Sequence, residues 1–254
     1  MKKAICFFLL VAMALCLVAC GGGETVTVYL PDTLIIKMPD GTVAAEAVYE
    51  FEKGWQKKET FKMTANVTME GQQIPLIEMV FSDKCVQTTV TGVNQTTNRY
   101  DENGYSISNT VIYEYENTWL SKVETTYTYD EKGLPLGEIR TDYKKDGTTS
   151  TKEITYTSAE TEDGFTAVYE LYDRTYTTFF DKNMRRIKRT TLEKDGSILN
   201  QSDIIYDDVN YTVEQKDSSQ GQVGSWQITT YKAMEVAPEV AARIPHLVRT
   251  FVKQ

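Results

Sequence analysis

From about Val26 onward the chain alternates. Val111, Tyr113 and Tyr115 fall on one side of an extended segment, with Ile112, Glu114 and Glu116 on the other. In the following segment Val123, Thr125, Tyr127 and Tyr129 oppose Glu124, Thr126 and Thr128. A period of two is that of a β-strand, and an apolar or aromatic face opposite a Thr- and acid-rich face is that of an antiparallel sheet with one wet side. Thr, Tyr, Val and Ile, which pack well on a pleated surface, dominate these segments.

Turn chemistry punctuates the alternation. Pro39-Asp40-Gly41, Glu102-Asn103-Gly104, Glu131-Lys132-Gly133, Lys145-Asp146-Gly147, Glu162-Asp163-Gly164 and Lys194-Asp195-Gly196 each set a polar residue before a glycine that can take positive φ. Their spacing predicts strands joined by hairpins rather than helical crossovers. The fold expected is all-β: a long, twisted antiparallel meander over residues 26–254. With this many strands it must curl into a half-barrel, a barrel or two packed layers. Helix is expected only near the end. Pro238 can open one or two turns that Pro245 limits, and the tail with His246, Leu247, Val248 and Phe251 is expected to pack on the body.

The first residues differ in kind. Lys2 and Lys3 precede an unbroken apolar run from Ala4 to Val18, and Gly21, Gly22 and Gly23 follow it. The run is shorter than the roughly 18 residues of a spanning helix and has the layout of a secretory signal. It ends Leu17-Val18-Ala19-Cys20, which resembles the lipobox of bacterial lipoproteins. The resemblance implies a signal peptide over 1–19, recognised by its peptidase through Leu17, Val18 and Ala19. It also implies diacylglycerol, and often a further acyl group such as palmitate, on Cys20. Residues 20–25 then make a short tether, with the chain held at the exported face of the cell membrane, or in the periplasm or outer membrane of a cell with two. Two or more acyl chains anchor stably where one does not. Cys6 and Cys16 leave with the signal peptide, so Cys85 stands alone, with no internal disulfide, and is read as a small half-buried strand residue.

Residues 100–206 carry a second pattern. Tyr100-Asp101-Glu102-Asn103-Gly104 and Tyr129-Asp130-Glu131-Lys132-Gly133 resemble the YD repeats of Rhs-type bacterial surface proteins, with Tyr143-Lys144-Lys145-Asp146-Gly147 a weaker copy. The resemblance implies hairpin units whose Tyr packs and whose Asp and Gly build the turn. Phe180-Asp181-Lys182-Asn183 and Tyr206-Asp207-Asp208 depart from it by lacking the Gly.

Charge and chemistry narrow the function. With 36 Asp plus Glu against 27 Lys plus Arg, no concentrated positive face is expected, and nucleic acid is not an expected partner. One basic run, Arg185, Arg186, Lys188 and Arg189, is a candidate contact for an anionic surface such as lipid headgroups or wall polymer, set against a solvated strand with pairing charges. His246 is the single histidine, no cysteine pair has zinc spacing, and no nucleophile elbow or phosphate loop is present, so no cofactor or metal is expected. Glu160 with Asp163 is a nominal acid/base pair for sugar hydrolysis, and Asp101 to Gly104 has some look of a calcium loop. Both read better as turns. Trp55, Trp119, Trp226 and the tyrosines are either core or a surface for sugar rings. The function expected is a non-catalytic binding or structural β domain on a membrane-anchored lipoprotein, partnered by the membrane through its lipid and by cell-wall glycan or another surface protein. The rivals are a lipid or lipoprotein carrier with an apolar cavity and, third, a wall-polysaccharide hydrolase.

Overall fold

The computed structural model describes residues 24–69, 72–82, 86–91, 94–114, 118–248 and 250–251. The signal segment, Cys20, Cys85 and Tyr115 lie outside them. Strands β1 (Val26–Lys37), β2 (Val43–Phe51), β3 (Phe61–Met69), β4 (Gln72–Ser82), β5 (Val86–Thr91) and β6 (Asn94–Tyr100) lead into β7 (Ser106–Tyr113), β8 (Leu120–Tyr129) and β9 (Pro135–Lys144). The second half runs through β10 (Thr149–Thr155), β11 (Thr157–Thr161), β12 (Gly164–Leu171), β13 (Arg174–Asp181), β14 (Arg186–Leu192), β15 (Ile198–Asp207), β16 (Thr212–Ser219) and β17 (Gln222–Val236). Two short helical turns follow: α1 (Pro238–Ala241), opened by Pro238 and ended before Pro245 as expected, and α2 (Pro245–Val248), which Pro245 itself opens and which is not part of that expectation.

All 17 strands belong to one antiparallel sheet. Apart from β10 and β11, each pairs with its successor, and the ends meet: β1 lies against β17 from Val26↔Val236 to Lys37↔Trp226 and against β2 on its other side. The pairings therefore run round in a ring, and of the shapes expected the sheet takes the barrel. One seam interrupts it. β10 pairs with β9, whereas β11, after Tyr156, pairs with β12. Tyr156 N–H still reaches Leu136 O at 2.8 Å, and Ser158 Oγ donates to Pro135 O at 2.9 Å, so β11 stays tied to β9 as it crosses over. Gly137 sits at this seam because a Cβ there would lie 2.6 Å from the Ile154 carbonyl oxygen. Register shifts in β1, β6, β8, β14 and β16 supply the bends that curl the sheet.

Two turn chemistries mark the two ends of the ring. At the end where β1 begins (the proximal end), Asp101, Asp130, Asp181 and Asp207 each close a turn by accepting two backbone N–H groups on Oδ1. Asp101 takes those of Asn103 and Tyr105, and Asp181 takes those of Asn183 and Arg185. At the distal end, Asp40, Asp146 and Asp195 instead hold the N–H and hydroxyl of Thr42, Thr148 and Ser197. The third residue after the turn Asp is Gly104 (φ 79°) and Gly133 (φ 84°) in two proximal turns, and Met184 (φ 62°) in the turn of Asp181, one of the two that lack the glycine. A side chain in that left-handed region is strained. Met184→Gly should raise the free energy of unfolding by about 0.5–1 kcal/mol in chemical denaturation; a loss of stability would show the Met packing to outweigh the strain.

The densest core lies inside β1 to β4. Leu34, Ala47, Tyr49, Phe61, Met63, Ala65 and Phe81 are buried there together with Val240, Ala241, Ile244 and Leu247 of the C-terminal segment, so the tail is laid into the ring and fills it. Trp55, expected as core or surface, is core, at 4.9 Å from the Phe61 ring. The first half of β1, Val28 to Pro31, is buried at every residue, which requires cover on both faces. Tyr29 meets the rings of Tyr211 and Phe251, while Val28 and Leu30 belong to the cluster with the tail.

Candidate functional site

Away from the tail the ring is hollow. An open hollow of about 860 Å³ is bordered by the inner faces of β6 to β9 and β12 to β16. Its wall is made of the alternating positions picked out by the sequence: Tyr113 on β7, then Val123, Thr125, Tyr127 and Tyr129 on β8. Tyr113, Tyr127 and Tyr129 share one inner face as expected, but they are half-buried and border a chamber rather than close a core. Beyond Glu138, the cross-strand neighbour of Tyr127, Tyr156, Tyr169 and Tyr176 form a stacked row with ring centroids 4.8 Å and 4.6 Å apart. Burial raises the Tyr127 and Tyr169 hydroxyls above their ordinary pKa, so both stay protonated and can donate at neutral pH.

The chamber continues toward the distal end into a hollow of about 480 Å³ lined by Thr191, Asn200, Ser202, Asp217, Ser218 and Gly224. Arg189 borders both spaces. Asn200, Ser219 and Gly224 are exposed, so the lumen meets solvent on this side. At the proximal end the tail narrows the ring, and a hollow of about 300 Å³ is bordered there by Gly104, Met184 and Tyr206, which also line the chamber, and by His246 and Thr250 of the tail. His246 stacks on Tyr100 with centroids 4.1 Å apart, and Phe251 packs among Tyr29, Tyr206, Tyr211 and Tyr231.

The basic run Arg185 to Arg189 does not form one patch. Arg185 is tied at the proximal end, donating from Nε to Asp181 at 2.7 Å and from a terminal nitrogen to Asp208 at 2.5 Å, beneath the Tyr206 ring. Lys188, opposite Asp203, belongs to the outer wall. Arg186 and Arg189 both line the lumen. A strict period of two would put Arg186 with Lys188. The shift between Phe179↔Lys188 and Phe180↔Arg186 leaves Ile187 unpaired and brings Arg186 and Arg189 to one face. Arg189 donates to the Tyr169 hydroxyl at 3.2 Å. Arg186 keeps accessible surface, but that surface faces the chamber, deep inside the ring, and no hydrogen bond or ion pair joins it to a described residue. Burial, and then the neighbouring Arg189, pull its pKa below the usual guanidinium range.

The other candidates lie elsewhere. Glu160 and Asp163 are exposed at the β11–β12 hairpin. The Asp101 carboxylate is committed to its turn through Oδ1. Trp119 is exposed, and Trp226 sits on the outer wall between Lys37 and Lys216, at 4.6 Å and 4.2 Å, donating to Glu214.

No family model matches the chain, and no curated protein matches it. Among solved structures it is similar to a porin-like protein from Bacteroides uniformis ATCC 8492, with a TM-score of 0.41 and 11% identity over 81% of this chain and 96% of that one. Nothing about this chain's ligand follows from a likeness at that level.

His246, with neither ring nitrogen hydrogen-bonded, gives the tail a pH signature. Burial pushes its pKa down to about 3, against about 6.5 in an unfolded chain. Below pH 6.5 the unfolded chain takes up a proton that the folded chain refuses, so stability falls as pH drops from 6.5 toward 3, by up to about 1.4 kcal/mol per unit. The turn carboxylates Asp40, Asp146 and Asp195, held below their ordinary value by hydrogen bonds, give up their contribution only below about pH 4. Urea unfolding between pH 6.5 and 5 should show this slope in the wild type and a flatter profile in His246→Phe. Parallel profiles would mean that His246 takes up no fewer protons folded than unfolded.

Proposed function

We propose that the protein is a lipid-tethered binding protein of the bacterial exterior, cut before Cys20, whose barrel holds a small polar molecule in its lumen without transforming it. The observation that carries this is the chamber: a hollow of about 860 Å³, within the usual size range of ligand pockets, with tyrosines and charged groups converging on it. A carrier of acyl chains needs an aliphatic lining, and here Glu138, Arg140, Arg186, Arg189 and Gln215 interrupt one. The outer wall carries Glu46, Glu50, Lys62, Lys122 and Glu124, with ion pairs Lys62–Glu78 and Lys122–Glu124, and this favours water over lipid around the ring.

The tether gives the lumen a direction. β1 begins at Val26 on the proximal end, a few residues after Cys20, so lipid on that cysteine places the tail-filled end at the membrane and the polar distal hollow away from it. Wall glycan and its fragments are the partners such a mouth would meet.

Two results test this. Palmitate labelling should be lost in Cys20→Ser, and mass spectrometry should find Cys20 as the mature N-terminus; a mature chain beginning elsewhere refutes the anchor. A melting screen of the full chain against small sugars, sugar acids and amino acids should find compounds that raise the melting temperature, since ligand at 100 times its Kd adds about 2.7 kcal/mol. Thr178→Trp, which projects an indole into the chamber from its wall, should keep its own melting point within about 2 °C and lose the ligand shift. Undiminished ligand shifts in Thr178→Trp would place binding outside the lumen.

A further inference from the structure

The lumen brings three arginines, Arg140, Arg186 and Arg189, together with three carboxylates, and joins only one of the arginines in an ion pair among the described residues. Its carboxylates are engaged: Asp142 accepts from Arg140 Nε at 2.8 Å, Glu138 from the Tyr156 hydroxyl at 2.6 Å, and Asp217 from Gln215 at 3.0 Å. Arg140 is thus balanced by Asp142. Arg186 and Arg189 make no ion pair with a described carboxylate, although they share one inner face and Arg189 lies close enough to lower the Arg186 pKa. Two like charges held on one inner face, with no ion pair to a described carboxylate, make a place where an anion from outside the chain is favoured. A guanidinium presents a planar fork of donors that matches an oxyanion bidentately.

What surrounds the two arginines describes the rest of the partner. Beyond Arg189 the wall turns to short polar side chains, Thr191, Asn200, Ser202 and Ser218, which exchange hydrogen bonds with hydroxyl groups. Ser202 Oγ is buried without a hydrogen-bond partner. On the other side Tyr127 and Tyr169 offer ring surface together with hydroxyls that stay protonated. Resting on the reading of the lumen as a binding chamber, we propose that its ligand is an acidic sugar: a polyhydroxylated ring whose carboxylate or phosphate is gripped by Arg186 and Arg189 while its hydroxyls meet the Ser, Thr and Asn wall.

Isothermal titration of the full chain with D-glucuronate, D-glucose 6-phosphate, D-glucose and inorganic phosphate tests this. At least one of the two sugar acids should bind at least 10-fold more tightly than D-glucose and than inorganic phosphate. Arg186→Ala and Arg189→Ala should each weaken that binding by about 30-fold or more, as loss of one partner of a desolvated charge pair does. Lys188→Ala, on the outer wall, should leave it unchanged. These arginine variants should fold, and without ligand Arg186→Met should melt no lower than the wild type, because the like-charged Arg189 no longer faces a second cation. Equal binding of D-glucose and the sugar acids, equal binding of inorganic phosphate, no sugar-acid binding at all, or arginine variants that bind as well as the wild type would each overturn the proposal.

Phenylglyoxal labelling read by mass spectrometry separates this failure from failure of the chamber itself. Arg186 should be modified in the free chain and protected by the sugar acid, with the paired Arg185 reacting little in either. An unreactive Arg186 means solvent does not reach the chamber, and both readings fall. A reactive Arg186 that no sugar acid protects leaves the chamber standing and removes the acid from it.

Discussion

Phe61→Ala should lower the free energy of unfolding by about 3–5 kcal/mol, the range for a large aromatic removed from a packed core. Phe61 is 1% exposed and lies at the centre of a ring cluster: its centroid is 4.9 Å from Trp55, 4.9 Å from Phe81 in a stacked pair and 6.4 Å from Phe51. The neighbours belong to β2, the turn after it and β4, which the ladder fixes, so the vacated space cannot close by sliding one strand. Calorimetry should show a melting point lower by on the order of 10 °C. Trp119→Ala, at an exposed ring, should change it by no more than about 2 °C. Similar shifts for the two would mean that the core lies elsewhere.

Ending the chain after Val236 should cost more. The tail contributes Val240, Ile244, Leu247 and Phe251 to the interior, each buried, and at roughly 1.5–3 kcal/mol per large apolar side chain their loss approaches the whole stability of an ordinary domain. It would also bare Val28 and Leu30, which are fully buried, and leave Tyr100 without the His246 ring. The shortened chain should unfold near room temperature and be cut rapidly by protease at β1. A truncated chain as stable as the full one would show that the tail lies on the ring without supporting it.

The alternation at 111–129 made the strands and their inner faces readable, because period two survives wherever a strand has one covered side. The Asp-and-Gly turns were readable for a similar reason: a short carboxylate that accepts two backbone N–H groups closes the turn by itself, as at Asp101 and Asp130. Prolines 238 and 245 bounded α1 correctly. What could not be read were long-range consequences. Ring closure depends on β1 meeting β17 across some 200 residues, and nothing local to either strand encodes the partner. The second proximal-turn signal was also hidden, since Met184 stands where a glycine was sought.

The site was hidden by a single extra residue. Read with unbroken alternation, the basic run sets Arg186 beside Lys188 and suggests a charged outer strand; the unpaired Ile187 turns Arg186 and Arg189 inward together. The chamber itself left no local trace. Tyr127 and Tyr129 alternate in the same way whether they close a core or border a hollow, and only the filling of one half of the ring by the tail, with no counterpart in the other half, decides between the two. The lipobox reading of Cys20 rests on four consecutive residues of the sequence and lies outside the described residues.

The central claim, a hollow barrel that grips an acidic sugar, is tested most directly by a crystal structure of the chain grown with D-glucuronate. The account predicts density for the sugar inside the ring, its carboxylate in the forks of Arg186 and Arg189 and its hydroxyls toward Ser202 and Asn200. A lumen collapsed onto its own tyrosines, with Arg186 paired to a carboxylate of the chain, would contradict it.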